Sequence, residues 1–242
     1  MMKVRSARRV MLVTAVLLAA ACTPGPTGPD ALSSTRPYCP FDSNVVVYGG
    51  DSLVAKWPAY IQLPAGLVPY NTAKGGSMYS RNTSPDPEFG TVGSRVLADL
   101  DACGNDIAVA VFSGGAVDLS WGVSGGEVIT AIDALDEQLH ARGVPAVFLT
   151  ITPVSNATLW FPAHQADRQA VNNWMKTPGN MYGTVVDCGP SIESSPGSDA
   201  LAPKYWNYTD MFGTIDLLHP NEAGFAAIAD CITPTVLAAA GH

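Results

Sequence analysis

Short apolar runs rich in β-branched residues alternate along this chain with longer stretches whose apolar positions recur every three or four residues. Asn44 to Tyr48, Leu67 to Tyr70, Ile107 to Phe112, Ala146 to Ile151 and Thr184 to Asp187 read as five strands. Helical spacing is clearest from Glu127 to Ala141 (EVITAIDALDEQLHA), where Val128, Ile129, Ile132, Leu135 and Leu139 share one face and Gly143 ends the helix. Val54 to Ile61, Gln165 to Met175 and Glu222 to Ala240 are the other predicted helices, the last with Pro234 as its point of interruption. Strands alternating with helices predict a parallel sheet covered on both faces and joined by right-handed crossovers. In such sheets, active sites lie at the carboxyl ends of the strands. No internal repeat is visible.

The amino-terminal segment departs from this pattern. Lys3, Arg5, Arg8 and Arg9 precede an apolar run, Met11 to Ala21, that ends in small residues directly before Cys22. Eleven residues cannot cross a hydrocarbon core that needs roughly 20. Residues 1–21 are therefore expected to be a lipoprotein signal peptide, cleaved before a lipidated Cys22, with Arg8-Arg9 a weak hint of twin-arginine rather than general export. Residues 22–38 (from Thr23, TPGPTGPDALSSTRPY) are too poor in apolar surface to offset the entropy of ordering them and read as a tether. Residues 39–242 are then one domain, expected to be monomeric and held at the outside of the cell membrane by lipid alone, or secreted.

Cleavage would also change the charge. Without the four basic residues of the signal, nine Lys plus Arg face 21 Asp plus Glu, a formal charge of −12. Nucleic acids and anionic polymers are bound by neutralising their phosphates, so they are excluded as expected partners and a small neutral or glycan substrate is favoured. With Cys22 lipidated, Cys39, Cys103, Cys188 and Cys231 remain, an even number bound for an oxidising compartment. Three pairings are possible. Cys39 with Cys103 is preferred because each stands a few residues before a predicted strand, which leaves Cys188 for Cys231. No Cys-x-x-Cys spacing or cysteine-histidine cluster points to a metal, and no cofactor is implied.

Two segments carry candidate chemistry. Tyr48-Gly49-Gly50-Asp51-Ser52-Leu53 follows the first strand directly, and its glycines allow a sharp turn that leaves the Ser52 hydroxyl exposed at the strand end. Asp216-Leu217-Leu218-His219-Pro220-Asn221 precedes the last helix. A spacing of three on a loop would let Asp216 bond one imidazole nitrogen of His219 while the other faces a nucleophile. His219 capping the final helix is the plainer alternative, a role open to Asn221 as well.

Together these segments resemble the first and last conserved blocks of the SGNH/GDSL hydrolases, in sequence, order and separation. The middle of the chain is similar too: Asn71-Thr72-Ala73-Lys74-Gly75-Gly76-Ser77 resembles the family's glycine block, and Arg168 to Trp174 resembles the helix before its fifth strand. The resemblance spans roughly Asn44 to Leu237 and implies a three-layer α/β/α, flavodoxin-like fold with a five-stranded parallel sheet. It also implies Ser52 as nucleophile, His219 as general base and Asp216 as its support. The Ser52 and Gly76 N–H groups would form the oxyanion hole, or Gly75 if the register shifts by one, while Asp51 shapes the turn.

One block departs from the family. Where the pattern has Gly-x-Asn-Asp, this chain reads Gly115-Ala116-Val117-Asp118, so the oxyanion loses a side-chain donor of a kind worth on the order of 10² to 10³ in turnover. Another group supplies that donor, or the enzyme is slow, or the protein binds without catalysis. The expected activity is hydrolysis of short acyl or acetyl esters through an acyl-enzyme. O-acyl transfer to envelope glycans and non-catalytic envelope binding are the alternatives. Aromatics in Thr158 to His164 (TLWFPAH) line an acyl pocket or pack in the core, and His140 and His164 are expected at the surface or in caps.

Overall fold

The computed structural model describes residues 44–85, 89–103, 107–154, 162–195, 197–198, 200–208 and 215–242. Five strands, β1 (Val45–Gly50), β2 (Val68–Asn71), β3 (Ile107–Ser113), β4 (Ala146–Leu149) and β5 (Thr184–Val186), form one sheet. Their order is β2-β1-β3-β4-β5, and every pair is parallel. The chain steps from β1 outward to β2, then crosses back over β1 to β3. The connections leaving β1 and β3 therefore run in opposite directions, the kind of switch point at whose carboxyl edge such folds place ligands.

All six residues of β1 are buried, which its VVVYGG sequence permits because neither face carries a charge. Alternation then sorts the side chains between two apolar layers. Val45, Val47, Phe112 and Phe148 pack against helices α1 (Val92–Cys103), α3 (Gly125–Ala141) and α4 (Pro162–Lys176). Val46, Tyr48, Val111 and Leu149 pack on the other side against Trp57 and helices α5 (Gly189–Ile192) and α6 (Glu222–Ala239). Across the sheet Phe112 and Phe148 stack at 5.0 Å, and Tyr48 meets Trp57 edge-on at 5.7 Å. Such aromatic pairs add about 0.5–1.5 kcal/mol to simple burial.

Several elements differ from expectation. Val54 to Ile61 is not an α-helix: one α-turn bond, from Ala55 N–H to the Asp51 carbonyl, gives way to a 3-10 turn at Trp57–Tyr60. Pro58 has no N–H to continue a helical ladder, which accounts for the change. Three helices were not expected from the sequence, among them the four-residue α5 after Cys188. The longest is α1, whose buried Val92, Val96 and Leu100 recur every four residues; another is the short α2 (Ala116–Ser120). Helix α6 runs through Pro234 without interruption, because Ile232 and Val236 on either side are fully buried and hold it to the sheet.

Cys188, at the exit of β5, is bonded to Cys231 of α6 with their Cα atoms 5.8 Å apart, as expected. The bridge expected between Cys39 and Cys103 lies outside the described residues, as do Cys22, the signal and the tether: residues 1–43 and the Cys103 side chain are not described. Among the described residues, no group of His, Cys, Asp and Glu is arranged to hold a metal ion.

Candidate active site

At the exit of β1 the chain turns through a space that only glycine fits. A Cβ on Gly50 would stand 2.2 Å from Val54 Cγ2 and 2.3 Å from the Ser113 carbonyl oxygen, and one on Gly49 would meet Val96 at 2.6 Å. The turn that follows is closed by Asp51, whose Oδ1 accepts the Leu53 N–H at 2.9 Å. Asp51 is buried, and burial pushes its carboxyl up to about 7. This fits a turn-shaping group. Ser52, half-buried, is what the turn presents.

His219 arrives from a different part of the molecule. A two-stranded antiparallel hairpin, β6 (Trp206–Tyr208) and β7 (Ile215–Pro220), stands apart from the main sheet and carries it. The Asp216 to His219 segment is thus strand rather than the loop expected from its spacing. The ladder is irregular, however: Asn207 pairs with Asp216 and Trp206 with Pro220, so β7 advances four residues while β6 advances one. Leu217, Leu218 and His219 form a bulge, a device that re-aims side chains out of regular alternation. From it, His219 Nε2 comes to 2.7 Å from Ser52 Oγ. Asp216 lies on the backbone of β7 opposite Asn207, and its side chain is outside the described groups.

The end of β7 is fastened by Asn221. Its Oδ1 accepts the Gly224 N–H at 3.1 Å and caps α6, while its Nδ2 donates to the Lys204 and Trp206 carbonyls at 2.9 and 3.1 Å. The capping role therefore falls to Asn221, and His219 is left to face the serine. Gly224 lets the helix start close in, since a Cβ there would strike Pro220 at 2.5 Å.

The glycine block lies beside Ser52 at the exit of β2. Its backbone is laced to β1: Thr72 N–H donates to the Tyr48 carbonyl at 2.9 Å and Lys74 N–H to the Gly50 carbonyl at 3.2 Å. Asn71 Nδ2 adds a bond to the Val54 carbonyl at 3.0 Å. A Cβ on Gly75 would lie 3.6 Å from Ser52 Cβ, whereas one on Gly76 would meet nothing within 4 Å. Gly75 thus flanks the serine most closely, and Gly76, at φ 78, supplies the left-handed turn beyond it.

Sequence reasoning passed over two groups that hold this loop. Asp118, fully buried, accepts the Tyr79 and Ser80 N–H groups, both at 3.0 Å. Arg95 of α1 donates to the carbonyls of Thr72, Phe89, Gly90 and Gly50. Asp118 was legible only as the last residue of the divergent block. Next to it Val117 is 8% exposed and belongs to the apolar layer of α1, α3 and α4. Most of Thr158 to His164, the expected acyl-pocket segment, is outside the described residues. His140 is exposed and stacks on Tyr182 at 4.0 Å beside a cavity of about 410 Å³ that also meets Pro145, Ala146 and Thr184, at the amino ends of β4 and β5 and so away from Ser52.

Residues 42–227 match the family model described as the GDSL-like lipase/acylhydrolase family. Among solved structures, a carbohydrate acetylesterase family member from Sinorhizobium meliloti is similar at TM-score 0.63 and 15% identity, over 83% of this chain and 100% of that one. A GDSL-like lipase from Bacteroides thetaiotaomicron gives 0.58 and 16%, over 81% and 89%. An aryl esterase from M. smegmatis gives 0.58 and 13%, over 81% and 99%. Identities this low speak for the fold alone. No curated protein sequence matches the chain.

Proposed function

The chain belongs to the GDSL-like lipase/acylhydrolase family, and from that premise we propose that it is a serine esterase acting on small, short-chain acyl esters. The observation that carries the reading is the 2.7 Å approach of His219 Nε2 to Ser52 Oγ. An imidazole nitrogen at that distance can take the hydroxyl proton as the oxygen attacks a carbonyl carbon. The tetrahedral intermediate collapses, His219 returns the proton to the leaving alcohol, and the acyl group stays on Ser52. Water, deprotonated by the same nitrogen, then releases the acid.

In this scheme Asp216 holds the imidazole in the tautomer that leaves Nε2 free to accept. The negative charge that develops on the carbonyl oxygen is met by backbone N–H groups of Ser52 and of the glycine pair. Gly75 is favoured over Gly76 by its nearness to Ser52. The acidic balance and the amino-terminal pattern support a neutral substrate, acetyl or another short acyl on a sugar or small lipid, met outside the cell by a lipid-tethered protein.

A fluorophosphonate probe tests the reading. Wild type is expected to be labelled and Ser52→Ala to remain unlabelled, with p-nitrophenyl acetate hydrolysed only by the former. Wild-type protein that is folded yet inert to both reagents overturns it. That outcome would favour the second reading, a binding protein, whose motivation is the missing amide at Val117. p-Nitrophenyl esters of rising chain length then define the acyl group, and added alcohol acceptors separate hydrolysis from acyl transfer.

A further inference from the structure

Arginines buried inside proteins are usually paired with carboxylates, because a desolvated guanidinium needs compensating charge. Arg95 is 9% exposed, and its hydrogen bonds run instead to main-chain carbonyls. Nε donates to Thr72 O at 2.9 Å, Nη1 to Phe89 O at 2.6 Å and, more weakly, to Gly90 O at 3.4 Å, and Nη2 to Gly50 O at 3.1 Å. Its cation also lies 5.7 Å from the Phe89 ring. The acid one turn along the same helix, Asp99, bears on it through charge.

The carbonyls chosen are not scattered. Gly50 is the last residue of β1, two positions before Ser52. Thr72 directly follows β2, three positions before Gly75. Phe89 and Gly90 lead into α1. A guanidinium is a planar fork with fixed angles between its N–H groups, so it sets the separation of the carbonyls it bridges. Gly50 O receives a second donor, Lys74 N–H at 3.2 Å, from within the glycine block. The exits of β1 and β2 are thereby held together at a point immediately upstream of both proposed oxyanion donors.

We propose that Arg95 is a positioning residue that sets the spacing of the two backbone N–H groups receiving the oxyanion, an inference that rests on the esterase reading above. Oxyanion donors must stand ready about 2.7–3.1 Å from the place where charge develops. Valine stands at position 117 in place of the family's asparagine, which shifts more of the oxyanion's stabilisation onto these two donors. Arg95 touches no reacting atom. It acts through Gly50 and Thr72.

The experiment compares wild type, Arg95→Met, Arg95→Lys, Arg95→Ala and the surface control Arg142→Met on p-nitrophenyl acetate, with melting followed alongside. Arg95→Met is expected to lose about 100-fold in kcat with KM changed by less than about threefold, the signature of misplaced transition-state contacts. Arg95→Lys, which cannot bridge carbonyls as a fork, is expected to lose about tenfold, and Arg142→Met nothing. Millimolar guanidinium, but not sodium chloride, is expected to restore part of the turnover of Arg95→Ala. Folded Arg95→Met with kcat within threefold of wild type overturns the proposal, as does a loss confined to KM. If none of the three Arg95 variants folds, Arg95 is a folding residue and the proposal also falls. Wild type inert to ester and fluorophosphonate sinks the esterase reading and this one with it, whereas active wild type with equally active Arg95 variants sinks this one alone.

Discussion

Ser52 and His219 meet at 2.7 Å, yet they are held by different kinds of structure. Ser52 is fixed from below by a strand buried along its whole length, from beside by two glycines that let α1 and β3 approach, and from above by Arg95 and Asn71. His219 rides a bulge in a two-stranded hairpin outside the main sheet, and the Asn221 cap with its two carbonyl bonds fastens the strand just beyond it. The nucleophile stands at the end of a fully buried strand, whereas the base rides a ribbon that meets the core through the partly buried Leu218 and Trp206 and is tied by the polar bonds of Asn221. Changes within β1 and its two glycines are therefore expected to appear first as stability, and changes near His219 first as rate.

Several variants can break that contrast. The largest effect is expected from His219→Ala, which should lower kcat by on the order of 10⁵ to 10⁶ with its melting temperature almost unchanged. A large loss of stability would show that the hairpin is as integral as β1. Gly50→Ala, by contrast, drives a methyl group into Val54 and the Ser113 carbonyl and is expected to destabilise by more than about 3 kcal/mol in urea unfolding, or to prevent folding.

Asp51 sharpens the comparison through pH. Burial raises its carboxyl to about 7 in the folded protein, above its value in the unfolded chain, so the folded state binds more protons between these values. The stability it allows is full below about pH 4 and is lost as pH rises through 7, by on the order of a few kcal/mol. Asp51→Asn keeps an acceptor for Leu53 N–H and should flatten this decline in melting temperature. Some slope will remain from Asp99, which burial raises to about 6 with the same sign.

Asn221→Ala removes a helix cap and the bonds to the Lys204 and Trp206 carbonyls. A cost of about 1–2 kcal/mol is expected, with a fall in kcat larger than any change in KM. The smallest effect is expected from Val117→Asn. A donor regained at the oxyanion should raise kcat about tenfold, less than a preorganised donor is worth because Val117 lies within an apolar layer. Properly folded protein with unchanged kcat would place position 117 away from the hole.

The alternation of strand and helix was legible because it is written in local periodicity: Val45 to Tyr48 and the Val128 to Leu139 face needed no tertiary knowledge. The pairing of Ser52 with His219 was legible from two motifs whose residues suit one chemistry. What escaped depends on partners without a sequence signature. Arg95 binds backbone carbonyls, which every residue possesses, and Asp118 binds the N–H groups of Tyr79 and Ser80 nearly forty positions away. Which of Gly75 and Gly76 stands nearer Ser52 depends on the path of the turn, and adjacent glycines look alike in sequence. The bulge in β7 reflects the register of β6, whose short Trp206–Tyr208 strand carries little signal of its own. Helix α1 is a different case, since Val92, Val96 and Leu100 do repeat every four residues, a local period that the sequence carries in full.

The hairpin that carries His219 also bears on heat tolerance. A two-stranded ribbon is marginal by itself, and such units open with a smaller free energy than the strands of a buried sheet. Heating should therefore separate the base from the serine before the sheet melts, so that activity fades reversibly several degrees below the unfolding transition. The upper working temperature of this protein would then be set by β6 and β7, and strengthening that ribbon would extend it without altering a residue of the core.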